Sequence, residues 1–382
     1  KNMGEGKLRE AKENFSFIVL VGFMLGIGFL IFGILFMKPL LHILGAIPSL
    51  YSYCYEYLLI LILSAPLAVF QMLFQNFFVT AGKPHLGLTL TILGGVSNIV
   101  LDYVFIVVCH LGVSGAALAT SIGYAIPALF GIFYFLLNRR GTLYLVKPVF
   151  RGKVLFYSCI NGSSEMVNNL AVAITTFLFN LLMLNYAGES GVAAITIVLY
   201  AQFLMTSVFM GFSSGIAPVV SFNYGSQNTV QLQKVFKNSI LTVSVASILV
   251  FLIAEFFSEP VIGIFVSPES EVFQITKHGF AIFSLSFLFT GINIFSSALF
   301  TALSNGKVSA ILSFLRTFVF LVIFLLLLPL IWGVDGIWLA VPVAEILAFL
   351  VSIYYLVRMK NIYHYYTSET RKSSSLNGSS VE

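Results

Sequence analysis

Charged residues are scarce in this sequence: Lys, Arg, Asp and Glu make up 9% of its 382 residues, whereas soluble domains carry roughly 25%. This scarcity excludes an ordinary soluble domain, because too few charged side chains remain to cover a surface in water. Hydrophobic residues reach 59% and the mean hydropathy is +0.99. The apolar runs exceed the roughly 9–11 residues of a barrel strand and do not alternate, so the sequence predicts an all-α integral membrane protein.

Cysteine and histidine are also sparse, with three and five residues. Cys54, Cys109 and Cys159 lie far apart and lack the spacing of metal ligands, and the histidines are isolated. The sequence shows no glycine-rich phosphate loop with a lysine and no pair of carboxylates in an aqueous segment. We therefore predict that the protein is not an enzyme and has no cofactor and no resident metal.

The 20 Lys and Arg residues outnumber the 15 Asp and Glu residues and give a net charge of +5. They do not gather into the stripe expected of a nucleic-acid-binding surface. Most lie in alternate connections between apolar runs, as in Lys1–Lys12 and Arg139–Lys153, and the positive-inside rule predicts that these connections are cytoplasmic. We expect a multi-pass protein of the plasma membrane with both termini in the cytoplasm and no nucleic-acid partner.

The sequence matches itself at an offset of about 221 residues, as expected of a chain built from two copies of one helical unit. The matches are Gly4 with Gly225, Phe15 with Phe236, Thr80-Ala81-Gly82-Lys83 with Thr301-Ala302 and Gly306-Lys307 after a three-residue insertion, and Gly112-Val113-Ser114-Gly115 with Gly333-Val334-Asp335-Gly336. The second copy also carries about 72 residues, from Lys153 to Tyr224, that have no counterpart at the front. We therefore expect two further helices before residue 1.

Ten apolar segments predict ten helices of a twelve-helix fold: 15–40, 52–80, 86–109, 114–138, 153–184, 190–222, 234–257, 272–303, 308–330 and 336–358. Six helices per copy is an even number, so both copies enter the bilayer from the same side and are related by a pseudo-twofold axis along the membrane normal. The expected domains are an N-terminal bundle (1–138), a cytoplasmic linker (139–152), a C-terminal bundle (153–358) and a cytoplasmic tail (359–382).

Three polar residues are predicted to share one depth in the first copy. Asp102 lies about 10 Å and Thr120 about 9 Å from the outer ends of their helices, and Asn98 is one turn from Asp102 on the same face. A carboxylate, an amide and a hydroxyl at one level suit a hard cation or a proton. The alternative is that Asp102 reaches the outer interface and Asn98 joins two helices.

Other polar side chains fall on helix faces that are predicted to line a cavity for a substrate. The alternative for each is a hydrogen bond between helices of one bundle. These candidates are Gln71, Gln75, Asn76, Glu165, Asn168, Asn169, Thr176 and Asn293. Arg316 and Glu345, on neighbouring helices of the second copy, are predicted to form a structural ion pair rather than to contact substrate.

Four segments carry a resemblance to a known family: GEGKLREAKENF, FFVTAGKP, NIVLDYVFIVVCHLGVSGAALAT and GIAPVVSFNYGSQN. Together they resemble the multidrug and toxic compound extrusion (MATE) transporters over nearly the whole chain. The resemblance implies a monomeric antiporter that exports amphipathic organic cations in exchange for Na⁺ or H⁺ by alternating access. The alternative is a flippase for lipid-linked oligosaccharides of a related fold.

The resemblance also implies roles for individual residues. Asn98, Asp102 and Thr120 match a cation or proton site of some members, although the acid that those members have on their first helix is absent here. Tyr103 stands where the family often has proline. Other members carry an acid on the tenth helix, which FTGINIFSSALF lacks. We therefore expect coupling through the N-terminal bundle.

Overall fold

The protein is described by a computed structural model that covers residues 1–43 and 51–366. The last 16 residues, which form most of the predicted 359–382 tail, lie outside this part. Within it the chain is helical and has no strand, which confirms the predicted all-α class. The chain divides into an N-terminal unit, Gly6–Leu155, and a C-terminal unit that starts at Phe156 and also includes Lys1 and Met3–Glu5.

The N-terminal unit contains six α-helices and one π-helical segment among the described residues. The α-helices are α1 (Leu8–Leu35), α2 (Met37–Ile43), α3 (Tyr51–Leu63), α4 (Ala65–Thr80), α5 (Pro84–Asp102) and α6 (Gly112–Leu137), and the π-helical segment Tyr103–Val108 continues α5.

In the C-terminal unit a long helix comes first, and the order of the N-terminal unit then recurs with two additional short helices after the π-helical segment. Its helices are α7 (Gly152–Gly225), α8 (Thr229–Phe256), α9 (Ser258–Phe265), α10 (Glu271–Ser284), α11 (Phe287–Ala302), α12 (Gly306–Phe314), α13 (Leu321–Leu327), α14 (Pro329–Trp332) and α15 (Val334–Tyr363), with the π-helical segment Leu315–Phe320 between α12 and α13.

Helix α7 has 74 residues, about 110 Å at 1.5 Å per residue, which is far more than a bilayer needs. Its non-helical residue is Gly188, with φ 65° and ψ −155°, a conformation that suits glycine because it has no Cβ. The helix therefore supplies two spans. Together with the other apolar helices and the two bent pairs, the described residues provide the ten predicted spans.

Two predicted continuous helices are each broken, which corrects the sequence-based ranges 52–80 and 272–303. The chain bends by 48° between α3 and α4 and by 52° between α10 and α11. Ser64 precedes α4 and Ser286 precedes α11, and both serines are buried. The break recurs at the corresponding place in each copy, so it belongs to the repeated unit.

The turn after α4 corrects the predicted register of the repeat. Gly82 has φ 74° and Ser304 has φ 62°, and both turns have the same hydrogen bonds: Lys83 N donates to Phe78 O and Asn305 N donates to Phe300 O, each at 2.8 Å. Gly82 therefore corresponds to Ser304 and not to Gly306. The insertion is one residue rather than three, because the sequence alignment followed glycine identity instead of the left-handed position.

Aromatic side chains form the core of the N-terminal unit. Phe74, Phe78 and Phe135 are buried, and the ring of Phe135 lies 5.5 Å from that of Phe74 and 5.1 Å from that of Phe78. Gly131 is in direct contact with the Phe74 ring, so the missing side chain at this position lets α4 approach α6. In the C-terminal unit the missing side chain of Gly279 likewise lets α10 approach α15 at the buried Trp338.

The connection between α6 and α7 is held against the N-terminal unit. Arg151 Nη2 lies 2.7 Å from Glu13 Oε2, the Val146 N–H donates to Ser16 Oγ at 2.8 Å, and Lys12 Nζ lies 4.1 Å from the centre of the Tyr144 ring. The predicted linker 139–152 is therefore an ordered part of the N-terminal unit.

One contact between helices appears in both copies with different chemistry. Ser114 Oγ, at the start of α6, donates to Glu56 Oε2 on α3 at 2.7 Å. In the C-terminal unit Asp335 Oδ1, at the start of α15, lies 2.8 Å from His278 Nε2 on α10. The positions correspond to within one residue, so the repeat conserves the place of the contact but not the side chains that make it.

Candidate functional site

The site in the N-terminal unit depends on a close approach of two helices. A Cβ placed on Gly94 of α5 would lie 2.7 Å from the carbonyl oxygen of Gly123 on α6, and a Cβ on Gly123 would lie 3.3 Å from the Asn98 Cβ. Small residues at such a crossing let helix backbones approach each other in a membrane protein. The crossing brings the following turn of α5 against α6.

Two of the three residues predicted to bind a cation or proton are in contact there. The Asn98 amide Nδ2 lies 3.4 Å from Thr120 Oγ1 and donates a long hydrogen bond to it. Both side chains are half-buried. This contact also matches the alternative interpretation of Asn98 as a residue that joins helices.

Asp102 is placed one turn after Asn98 on the same face of α5. The residue is half-buried, and its Oδ1 is buried and accepts no hydrogen bond from the residues that the structure describes. A buried carboxylate oxygen without a donor is costly, because it has lost water without gaining a partner. Such an atom is an open position for a proton or a cation.

The backbone changes directly after Asp102. Residues Tyr103–Val108 form a π-helical segment, in which Cys109 N donates to Val104 O at 2.8 Å. π-helical turns are rare and occur frequently at functional sites. The distortion begins at Tyr103 and forms without a proline in the segment.

The polar residues predicted to line a cavity differ in exposure. On α4, Gln75 and Asn76 are exposed and Gln71 is half-buried. On α7, Glu165 and Asn169 are exposed, whereas Asn168 and Thr176 are half-buried. Asn76 Nδ2 donates to Met72 O at 3.0 Å and Asn169 Nδ2 to Glu165 O at 2.9 Å, so both amides hydrogen-bond within their own helix.

Asn293 does not have the surroundings predicted for a residue that lines a cavity. It is 2% exposed, its Nδ2 donates to Glu345 Oε2 at 2.6 Å, and its Oδ1 accepts from Ser352 Oγ at 3.0 Å. Both ends of the amide are therefore occupied within the C-terminal unit, and Asn293 does not line an open cavity in this structure.

Arg316 and Glu345 lie together in the same buried cluster. Arg316 Nε is 2.8 Å from Glu345 Oε1, and the side chains are 16% and 7% exposed. The pair links the π-helical segment Leu315–Phe320 to α15, and Asn293 adds α11 to the same network.

Sequence inspection missed a cluster of hydroxyl groups between α11 and α12. Ser297 Oγ lies 2.9 Å from Ser309 Oγ and 2.8 Å from Ser313 Oγ, and Thr301 Oγ1 lies 2.7 Å from Ser309 Oγ. The signal is visible in retrospect, because hydroxyls four residues apart on two successive helices share a face on each.

These observations define a class of protein: a multi-pass helical membrane protein that carries buried polar clusters inside otherwise apolar bundles. The family model described as MatE matches residues 1–104 and 166–327, about two thirds of the chain. The chain belongs to the MatE family. It is therefore a membrane transporter and not an enzyme, as predicted.

Curated relatives cover most of the chain. The multidrug export protein MepA of Staphylococcus saprophyticus is 25% identical over 348 residues, which cover 90% of this chain and 76% of that protein. MepA of Staphylococcus aureus is 24% identical over 360 residues, covering 93% and 79%.

Solved structures share the fold. An outward-facing multidrug resistance MATE family transporter has a TM-score of 0.89 at 21% identity, covering 95% of this chain and 81% of that one. A transporter from Pyrococcus furiosus has a TM-score of 0.88 at 21% identity, covering 96% and 82%. The reversed polarity of the binding pocket in that transporter suggests a different function for it, so the shared fold does not fix the substrate.

Proposed function

We propose that this chain is an exporter of amphipathic organic cations that is driven by the entry of Na⁺ or H⁺. The names of the staphylococcal relatives as multidrug export proteins support the export of diverse small molecules. The observation that carries the coupling part is the buried Asp102 Oδ1 without a hydrogen-bond donor among the described residues.

The chemistry around Asp102 favours a reversible ion site. A carboxylate inside a membrane costs at least about 2.5–3.5 kcal/mol on insertion scales, so a bound proton or cation that neutralises it is stabilised. Oxygen ligands suit a hard cation such as Na⁺, and the Asn98 amide and the Thr120 hydroxyl, 3.4 Å apart, provide two beside the carboxylate. A proton would instead convert the carboxylate into a hydroxyl donor.

The substrate end of the proposal uses the exposed polar residues of α7. Glu165 supplies the negative charge that an organic cation requires, and Asn169 supplies a polar contact without a charge of its own. Export then requires that binding of the ion at Asp102 and of the substrate near Glu165 exclude each other during alternating access. We expect one chain to be sufficient for this cycle.

The test is efflux of a fluorescent organic cation from vesicles that contain the reconstituted protein, with Na⁺ and proton gradients imposed separately. Efflux driven by one gradient establishes the antiporter and identifies its ion. We predict that Asp102→Asn reduces gradient-driven efflux to the level of protein-free vesicles, because the neutral amide cannot bind and release a charge. The amount of folded, membrane-inserted protein should not change.

Asp335→Asn is the matched control. Asp335 is an exposed acid of the C-terminal unit that contacts His278, and it is not part of the Asp102 site. It should keep at least half of the wild-type rate. Gradient-driven efflux retained by Asp102→Asn would remove Asp102 from the mechanism. If the folded wild-type protein moves no cationic dye under either gradient, lipid-linked oligosaccharide flipping becomes the better hypothesis.

A further inference from the structure

A cavity lies beside the turn that divides α7 into two arms. The helix is interrupted by a kink at Gly188, and the two arms are in contact beside it, because a Cβ on Gly191 would lie 2.6 Å from the Ala187 Cβ and 3.0 Å from Met183 O. The cavity lies beside this contact, between residues 177–184 of the first arm and 189–193 of the second.

The cavity has a volume of about 520 Å³, within the range of roughly 300–1,000 Å³ that is typical of small-molecule sites. Its walls are mainly apolar side chains, and two polar side chains reach it. The lining residues are Phe177, Asn180, Leu181, Leu184, Glu189, Val192 and Ala193.

Both polar side chains carry an acceptor that lacks a partner in the described part of the chain. Asn180 Oδ1 is buried and receives no hydrogen bond. Glu189 is exposed and has no ion pair among the described residues. A buried acceptor retains the cost of desolvation until a donor reaches it. The complementary ligand has a positively charged N–H group and an apolar body.

The position of the cavity on α7 relates it to the proposed transport path. Asn180 follows Glu165 by 15 residues and Thr176 by four, so all three lie near one face of the helix, with about 22 Å between the first and the last. Glu165 is nearer the start of the first arm of α7, at Gly152, and the cavity is near the end of that arm, beside Gly188. The distribution of Lys and Arg predicts that this end of the arm is external.

We propose that this cavity is a release site for protonated amphipathic amines at the Gly188 turn of α7, on the predicted external side. The amine donates a hydrogen bond to Asn180 Oδ1, the Glu189 carboxylate balances its charge, and the apolar body packs on Phe177, Leu181 and Leu184. This inference rests on the proposed export of organic cations and adds to it a preference for N–H-bearing cations over quaternary ones.

The test measures occupancy of the cavity itself. In a protein whose Cys54, Cys109 and Cys159 are replaced by serine, Leu184→Cys is labelled with a membrane-impermeant maleimide in reconstituted vesicles. The probes are dansylcadaverine, an aromatic primary ammonium, and its N-trimethylated analogue, which has no N–H on the charged group. The primary ammonium should slow labelling at about a tenfold lower concentration than the analogue, because only it can donate to Asn180.

Two substitutions separate the contributions of the polar groups. Asn180→Leu should weaken protection by the primary ammonium about tenfold and remove the difference between the probes. Glu189→Gln should weaken protection by both probes about two- to fivefold, since an exposed charge pair is screened by water. The matched controls are Asn185→Leu, about 140° around the helix from Asn180 and exposed, and Glu269→Gln, an exposed acid that does not line the cavity. Neither should change protection.

Efflux of dansylcadaverine by the same vesicles distinguishes the two proposals. Efflux without protection of Leu184→Cys, or with equal protection by both probes, overturns the release site and leaves the export function standing. If the vesicles show no efflux and no protection, both proposals are overturned. Labelling that is slow without any probe and accelerates when lipid is removed identifies a lipid in the cavity, which also overturns the release site.

Discussion

In the N-terminal unit α5 meets α6 through the backbones of Gly94 and Gly123. A Cβ added to Gly94 would lie 2.7 Å from the carbonyl oxygen of Gly123. In the C-terminal unit the corresponding helix pair meets through the ion pair of Arg316 and Glu345. With Gly82 matched to Ser304, Gly94 corresponds to Arg316. Gly123 corresponds to the residue before Glu345, because Gly112 and Gly333 match at the starts of α6 and α15.

The difference shows how one helical plan can separate two tasks. Glycine contact brings α5 and α6 together without a buried ion pair, and Asp102 keeps a buried oxygen that has no hydrogen-bond donor among the described residues. In the C-terminal unit the corresponding positions are apolar, for example Phe324 near the match to Asp102 and Val341 at the match to Thr120. There the buried charges hold the helices together instead.

Removing one partner of the ion pair should have the largest effect on stability. We expect Arg316→Met or Glu345→Leu to lower the free energy of unfolding by about 3–5 kcal/mol, because each leaves a buried charge without its partner. The double variant should regain most of this loss, since an apolar pair of similar volume can replace a buried ion pair. The measurement is the unfolding midpoint of the purified protein in detergent.

An exposed ion pair of the same unit provides the control. Lys277 and Glu259 are 49% and 59% exposed, and exposed pairs contribute about 0–1 kcal/mol. Lys277→Met should therefore leave the midpoint nearly unchanged. A double variant at 316 and 345 that is as unstable as the worse single variant would show that the charges themselves, and not their balance, maintain the helix contact.

Breaking the glycine contact should cost less. Gly94→Ala directs a methyl group at the Gly123 carbonyl, and the rigid backbone can only respond by moving the helices apart, at about 1–3 kcal/mol. Gly95→Ala is the matched control, because a Cβ at Gly95 meets nothing within 4 Å. Unfolding midpoints that are equal for the two variants would contradict the close approach of α5 and α6.

Hydropathy and periodicity were sufficient to predict the helical class and the ten spans, because lipid forces backbone polar groups into helices. They could not predict the breaks at Ser64 and Ser286, since neither place has a glycine and Pro66 has no proline counterpart in the second copy. The exact register of the repeat was also beyond the sequence. A serine in the left-handed position at Ser304 conceals the match with Gly82.

At the sites, spacing along one helix was more informative than the pairing of different helices. The i to i+4 relation of Asn98 and Asp102 and the similar depth of Thr120 follow from helix geometry. The fate of Asn293 did not, because its neighbours Glu345 and Ser352 come from a helix about 50 residues away in sequence. A polar residue on an apolar helix therefore predicts a polar partner or a cavity, and only the tertiary packing decides between them.

The smallest expected effect concerns the turn in which the two copies use different residues for one conformation. Left-handed backbone costs a non-glycine residue about 1–2 kcal/mol, and glycine loses about 0.4–1 kcal/mol of that advantage through its flexible unfolded state. Ser304→Gly should therefore stabilise the protein by about 0.5–1 kcal/mol and Gly82→Ser should destabilise it by a similar amount.

Ser304→Ala separates backbone strain from the hydroxyl, because alanine keeps the strain and should bring no gain. If Ser304→Ala raises the unfolding midpoint as much as Ser304→Gly, the strain lies in the side chain, and the correspondence of Ser304 with Gly82 loses its physical basis.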